Sequence, residues 1–347
     1  MSVPLTVLVS KGRSDNPKKR ELEDSLAEVL SEEHGLRVFL VPNLYDLPPD
    51  GEAMEILRAI SSDIVVVSWI FPRPAHWVLD RCGIRGQIGE TLLGPEADDF
   101  DEEEDADESE DVERVLDSRP LPDRRIYCLD LRDRKEIAPF VDEVLRINDE
   151  AKSTFAPNGN GQQALDLMQW IQGQPNAQQL ERYLDPSAGV PRLNVDPSRR
   201  WYPVIDYSRC TNCLECIDFC LFGVYGTDRQ DVIFVEGQDN CRKGCPACSR
   251  VCPENAIIFP HHKTPAIAGS DADGAAGLKI DLSLLFGGDN GRSAEEQAAM
   301  ERDEQLVAVG REAVGMSVGM PNRQKDAPTA PKDELDKLMD QLDEIEL

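Results

Sequence analysis

The sequence predicts an α/β protein: a doubly wound parallel sheet over residues 1–150, followed by a small cysteine-dense unit. Three observations predict it. Short apolar strands alternate with amphipathic helical stretches from residue 5 to residue 147, the order that builds a parallel sheet with helices on both faces. The stretch "DIVVVSWI" (63–70) is continuously apolar, as a strand covered on both faces is. Eight of the ten cysteines fall within residues 210–252.

The elements follow in order. "LTVLVS" (5–10) reads as the first strand. Asn16 then Pro17, a cap followed by a first-turn proline, opens a helix that Gly35 closes, with Leu22, Leu26, Val29 and Leu30 on its buried face. "LRVFLV" (36–41) is the second strand, residues 51–61 a helix, and "DIVVVSWI" the third strand. "RRIYCLDL" (124–131) is the fourth, and "KEIAPFVDEVLRI" (135–147) its helix. Residues 151–200 read as two short helices (163–173 and 176–184) and a Pro-rich linker. Ser293 stands three residues before Glu296, a capping box that predicts a helix over 293–313. The last stretch places Leu335, Leu338, Met339, Leu342 and Ile345 on one stripe of an acidic amphipathic helix, expected to pack back on the chain or to dock a partner. The domain boundaries expected are 1–150, 151–200, 201–262 and 263–347.

The net charge is −29, and twelve of the sixteen residues from Asp98 to Glu113 are Asp or Glu. Such a block repels itself and buries nothing, so a disordered insert is expected over 96–118. It serves as a solvated spacer or as an arm for a basic partner. The acidic balance argues against nucleic-acid binding. No apolar run approaches the roughly 20 residues that span a bilayer. The N-terminus has no basic stretch before its apolar one, so it does not read as a signal peptide, and a cytoplasmic location is expected.

The two cysteine runs are "CTNCLECIDFC" (210–220) and "CRKGCPACSRVCP" (241–253). Each has three closely spaced cysteines, then three residues, a fourth cysteine and a short apolar segment. In a cytosolic chain such runs bind metal rather than form disulfides. The pieces "IDYSRCTNCLECIDFC" and "CPACSRVCPENAI" resemble the bacterial-type ferredoxins with two [4Fe–4S] clusters, over about sixty residues. The resemblance implies a small α+β unit and an exchange of ligands between the runs. Cys210, Cys213, Cys216 and Cys252 would hold cluster one, and Cys220, Cys241, Cys245 and Cys248 cluster two. Pro253 fits the family pattern, whereas Leu221 stands where the first run often has its own proline. Ile205, Ile217, Phe219, Phe222, Val224, Ile257, Ile258 and Phe259 would keep water from the metal.

Two other metal readings stay open on spacing alone. Two four-cysteine zinc sites would also use eight thiolates. "CRKGCPAC" has the CxxxCxxC spacing that radical S-adenosylmethionine enzymes use. The extra residue is otherwise a bulge that Gly244 accommodates at positive φ. It places Arg242 and Lys243 beside one cluster only, with Arg250 between the last two ligands.

The N-terminal sheet carries neither GxGxxG nor a Walker loop. Ser10, Gly12 and Ser14 at a helix start could cradle a flavin phosphate, which makes flavin the alternative cofactor. Trp69, Phe71, His76 and Trp77 cluster after the third strand, while Cys82 and Cys128 read as small core residues. The function expected is electron transfer through two [4Fe–4S] clusters, the N-terminal domain docking a redox partner with a basic surface. The alternatives are an iron–sulfur subunit of an oxidoreductase, with a cofactor- or substrate-binding N-terminal domain, and a structural or regulatory iron–sulfur protein. A carrier or accessory subunit fits better than a stand-alone enzyme, because no nucleophile–base pair stands out.

Overall fold

A computed structural model of the chain describes residues 5–94, 113–154, 190–193, 198–270, 293–316 and 318. The N-terminal part is a parallel sheet of β1 (Leu5–Ser10), β2 (Leu36–Val41), β3 (Ile64–Ser68), β4 (Gln87–Ile88) and β5 (Arg125–Asp130) in the order β2-β1-β3-β5-β4. Its helices are α1 (Pro17–Ser31), α2 (Glu52–Arg58), α3 (Pro72–Arg81), the single turn α4 (Val115–Ser118) and α5 (Ala138–Thr154). The two-residue edge strand β4 has no apolar run of its own, so the sequence pattern does not reveal it.

Strand alternation divides the core into two faces. Val7, Val9, Val65, Val67 and Leu129 face α1 and α5, through Leu26, Leu30, Phe140 and Val144. Leu8, Phe39, Val66 and Ile126 face the other way, against Met54, Leu57, Trp77 and Val78. That second cluster continues without a break into Tyr202, Val204, Phe219 and Ile257 of the cysteine-dense unit.

Three expectations change. The buried face of α1 carries Glu23, fully buried, while Val29 is 37% exposed. Glu23 is tolerated because its carboxylate accepts from the Gly12 N–H (2.8 Å), the Trp69 indole (2.8 Å) and Arg20 (3.0 Å). Residues 113–118, expected to belong to the disordered insert, are part of the fold, and the rest of that insert, 96–112, lies outside the described residues. Val115 and Leu116 donate their N–H groups to the carbonyls of Cys210 and Tyr207, at 2.8 and 3.0 Å, and Val115 is buried. Part of the Pro-rich linker is strand-like: Leu40 and Arg192 form a parallel bridge that covers the free edge of β2. The helices expected at 163–173, 176–184 and the C-terminus lie outside the described residues.

The cysteine-dense unit has an internal repeat. β6 (Val204–Ile205), α6 (Glu215–Phe219) and β7 (Tyr225–Thr227) are answered by β8 (Ile233–Val235), α7 (Ala247–Val251) and β9 (Ile257–Ile258). β6 pairs antiparallel with β9, and β7 with β8. After the turn α8 (Pro265–Ala268), the helix α9 (Ala294–Ala308) starts on Ser293 with both capping-box bonds formed and packs on α7.

The two parts are joined by polar as well as apolar contacts. Tyr45 stacks on Tyr202 at 4.2 Å, and the Tyr202 N–H and hydroxyl donate to the Tyr45 hydroxyl and carbonyl. His261 meets the edge of Tyr45, and its Nε2 lies 3.1 Å from Asn43 Oδ1. Burial, with Arg13 pushing the same way, lowers the His261 pKa to about 4. The unfolded chain therefore takes up a proton near pH 6.5 that the folded chain refuses until about pH 4. This stability is present above pH 6.5 and is lost as pH falls through that window. Stability measured in urea should drop by about 2 kcal/mol more between pH 7 and pH 5 in the native chain than in His261→Gln; equal slopes would refute this.

Candidate metal centre

The eight clustered cysteines line two separate cavities, four to each. Cys210, Cys213, Cys216 and Cys252 line one, with Ile205, Leu214, Ile233 and Ile257. Cys220, Cys241, Cys245 and Cys248 line the other, with Phe219, Phe222 and Val224. The cavities match in size, at about 330 Å³ of empty space each. Each takes three thiols from one run and the fourth from the other. α6 carries Cys216 and ends on Cys220; α7 carries Cys248 and ends on Cys252. One turn of helix thus presents two thiols to opposite cavities.

The loops before these helices need unusual backbone. Asn212 and Leu214 have φ of 58° and 62° in the first loop, and Gly244 has φ of 89° in the second. Asn212 is held by its own amide, which donates to the Asp231 carbonyl and accepts the Ile233 N–H. The extra residue of the second run is absorbed at Gly244, where only a residue without Cβ takes this conformation without strain.

Burial pushes the Cys210 and Cys245 thiols up to about 11 and raises Cys216, Cys220, Cys241, Cys248 and Cys252 as well. For Cys216, Cys241 and Cys248, neighbouring cysteines are the next cause. Backbone N–H groups work against this at several sulfurs; that of Ala256 donates to Cys252 Sγ at 3.3 Å. Such thiols do not ionise alone near neutral pH. A soft, strongly positive centre that binds thiolate reverses the balance. Among the described residues, no three His, Cys, Asp or Glu side chains close on a point as ligands of one bare ion do. The thiols stand around a space instead.

The comparisons with known proteins agree with this chemistry. An uncharacterized ferredoxin of Methanocaldococcus jannaschii is 34% identical over 143 residues, which is 39% of this chain and 97% of that protein. The chain belongs to the ferredoxins. It is an iron–sulfur protein of electron transfer, and the likeness is longer than the 201–262 unit. Pyruvate synthase subunit PorD of the same organism is 36% identical over 59 residues, 17% of this chain and 66% of that subunit. No protein-family model and no solved structure matches the chain. No helix among the described residues is long and apolar enough to cross a membrane.

Several residues of this ferredoxin's site were not legible in the sequence. Tyr225 is buried and donates its hydroxyl to Cys248 Sγ at 3.1 Å. Arg302, from α9, lies at the second cavity with 1% exposure, its guanidinium 4.6 Å over the Phe219 ring. It donates to the carbonyls of Gly315 and Val318 and pairs with Asp303 at 3.2 Å. Its charge offsets part of the burial that raises the Cys220 thiol. Of the cations read from the loop, Arg242 lines the second cavity over Phe222, Lys243 is exposed, and Arg250 pairs with Glu301 at 3.1 Å.

The other sequence candidates fare differently. Ile205 and Ile257 line the first cavity and Phe219, Phe222 and Val224 the second, while Ile258 and Phe259 are fully buried behind them. His76 is buried against Trp77, and Cys82 and Cys128 are buried in the core. The Gly12 N–H of the loop read as a phosphate cradle is taken by the Glu23 carboxylate, so the chain holds its own anion there.

Proposed function

We propose that this ferredoxin carries electrons through two [4Fe–4S] clusters, one held by Cys210, Cys213, Cys216 and Cys252, the other by Cys220, Cys241, Cys245 and Cys248. The observation that carries the reading is the division of eight thiols into two four-thiol cavities, with one thiol exchanged between the runs. When bound, such a cluster supplies a one-electron couple. The chain's residues hold the irons, exclude water with apolar walls and direct N–H groups at sulfur. The domain boundaries proposed are those read from the sequence, with 201–262 as the cluster unit. The N-terminal domain is proposed to dock a redox protein with a basic surface, matched to the acidic charge of the chain.

A second reading makes the chain a subunit of an oxidoreductase complex, favoured by the likeness to a pyruvate synthase subunit. Anaerobic purification with iron and sulfide counts tests the common core. About eight irons and eight sulfides per chain are expected, and four or fewer after full reconstitution would refute two clusters. Co-purification of a stoichiometric partner separates the second reading from the first.

Arg302 sets the two sites apart. A buried cation beside a thiolate-bound cluster favours the reduced, more negative state. Arg302→Met is expected to lower one of two midpoint potentials in an EPR titration and leave the other in place. Equal shifts in both would show that α9 acts on general stability instead.

A further inference from the structure

The internal repeat of the cysteine unit allows the two sites to be compared position by position. Tyr225 is the fifth residue after Cys220 and opens β7; Ile257 is the fifth after Cys252 and opens β9. Both are buried, and they line different cavities: Ile257 the first, Tyr225 the second. An isoleucine is therefore enough to fill this position of the repeat. The tyrosine adds a hydroxyl, and a hydroxyl carried into an apolar interior costs free energy unless it meets a partner. Its partner is Cys248 Sγ, at 3.1 Å. A second pair of positions differs in the same sense. Thr211 directly follows Cys210 and lines the first cavity, whereas Arg242 directly follows Cys241 and lines the second.

We propose that Tyr225 makes the second site the resting place of the electron: its hydroxyl donates to the Cys248 sulfur and favours the reduced state there over the reduced state of the first site. This role presupposes the two clusters proposed above. Reduction places more negative charge on the ligand sulfurs, and a hydrogen bond to a charged acceptor is stronger than one to a neutral acceptor. The donor bond therefore gains strength on reduction and raises the potential of that site. The step is a one-electron reduction by a low-potential donor. No bond forms or breaks, and the proton stays on the Tyr225 oxygen. Burial adds to the effect, because a hydrogen bond is electrostatically stronger in a dry site than in water. The first site has no equivalent at this position, since the Ile257 side chain has nothing to donate. An electron delivered to the first site then passes to the second. Tyr225 acts through Cys248, as a positioning residue.

EPR titration of the anaerobically purified full-length protein, reduced stepwise with dithionite, tests this alongside iron and sulfide counts. Tyr225→Phe keeps the ring and removes the donor. It should retain the native iron count, lower one of the two midpoint potentials and leave the other in place. The midpoint that moves should be the one that Arg302→Met lowers. 3-Fluorotyrosine placed at position 225 makes the hydroxyl a stronger donor and should raise the same midpoint, which decides the matter if Tyr225→Phe loads less iron. Unmoved potentials in both variants, or equal shifts at both sites, would overturn the role of Tyr225 and leave the two-cluster reading standing. A native count of about four irons after full reconstitution would overturn both together.

Discussion

Cys252→Ser is expected to empty the site of Cys210, Cys213 and Cys216, in the other run, and to leave its own neighbours Cys245 and Cys248 loaded. The reason is the placement of Cys252 in the first cavity. Iron should fall from about eight to about four per chain, because a serine oxygen is a harder and weaker ligand for iron than thiolate. Paired substitutions make the test sharp. Cys252→Ser with Cys213→Ser should cost no more iron than either change alone, since both strike one site. Cys252→Ser with Cys245→Ser should remove nearly all of it. Residues that act as one unit are non-additive, and residues of separate units add. The reverse pattern would mean that each run holds its own cluster.

Arg73→Ala is expected to destabilise the chain by about 3 kcal/mol in denaturant unfolding, the cost of taking the nearer cation from a buried carboxylate that keeps Arg209 at 3.7 Å. Arg73, near the start of α3, pairs with Asp206 at 3.0 Å and reaches the Asn255 and Gly269 carbonyls. The side chains are 8% and 0% exposed. Asp206 in turn accepts the Ser208 N–H and hydroxyl, so it fixes the turn that leads into Cys210. Loss of Arg73 should therefore also slow cluster reconstitution, read from visible absorbance. Arg73→Lys keeps the charge but loses the fork and should recover part of the stability. A change below about 1 kcal/mol, the range of an exposed pair, would show that the junction is open to solvent.

The parts that were legible in the sequence follow local rules. β1, β2, β3 and β5 show as apolar runs because each is buried on both faces. The starts of α1 and α9 show because Asn16 and Ser293 cap them with their own side chains. Val29 was misplaced and Glu23 was overlooked, because periodicity counts apolar residues and cannot see that Gly12, Trp69 and Arg20 await a carboxylate. Residues 113–118 were given to the insert because charge density hides one buried valine. Arg302 was out of reach for another reason: it lies 50 residues after Cys252, and nothing in the helix repeat marks which face meets a thiol.

By itself the sequence determined the cysteine layout, because order and spacing are chain properties: two runs, eight thiols, and one glycine where the second loop has its extra residue. It also determined the parallel sheet, through the alternation of strand and helix. Only the tertiary structure decided that the cysteine unit is no tethered module. Its core is continuous with one face of the sheet, locked by Arg73–Asp206 and the Tyr45–Tyr202 stack. The same packing brought Arg302 to the second cavity. Long-range contacts of this kind depend on how faces meet, and a local pattern of residues carries no record of the face on the other side.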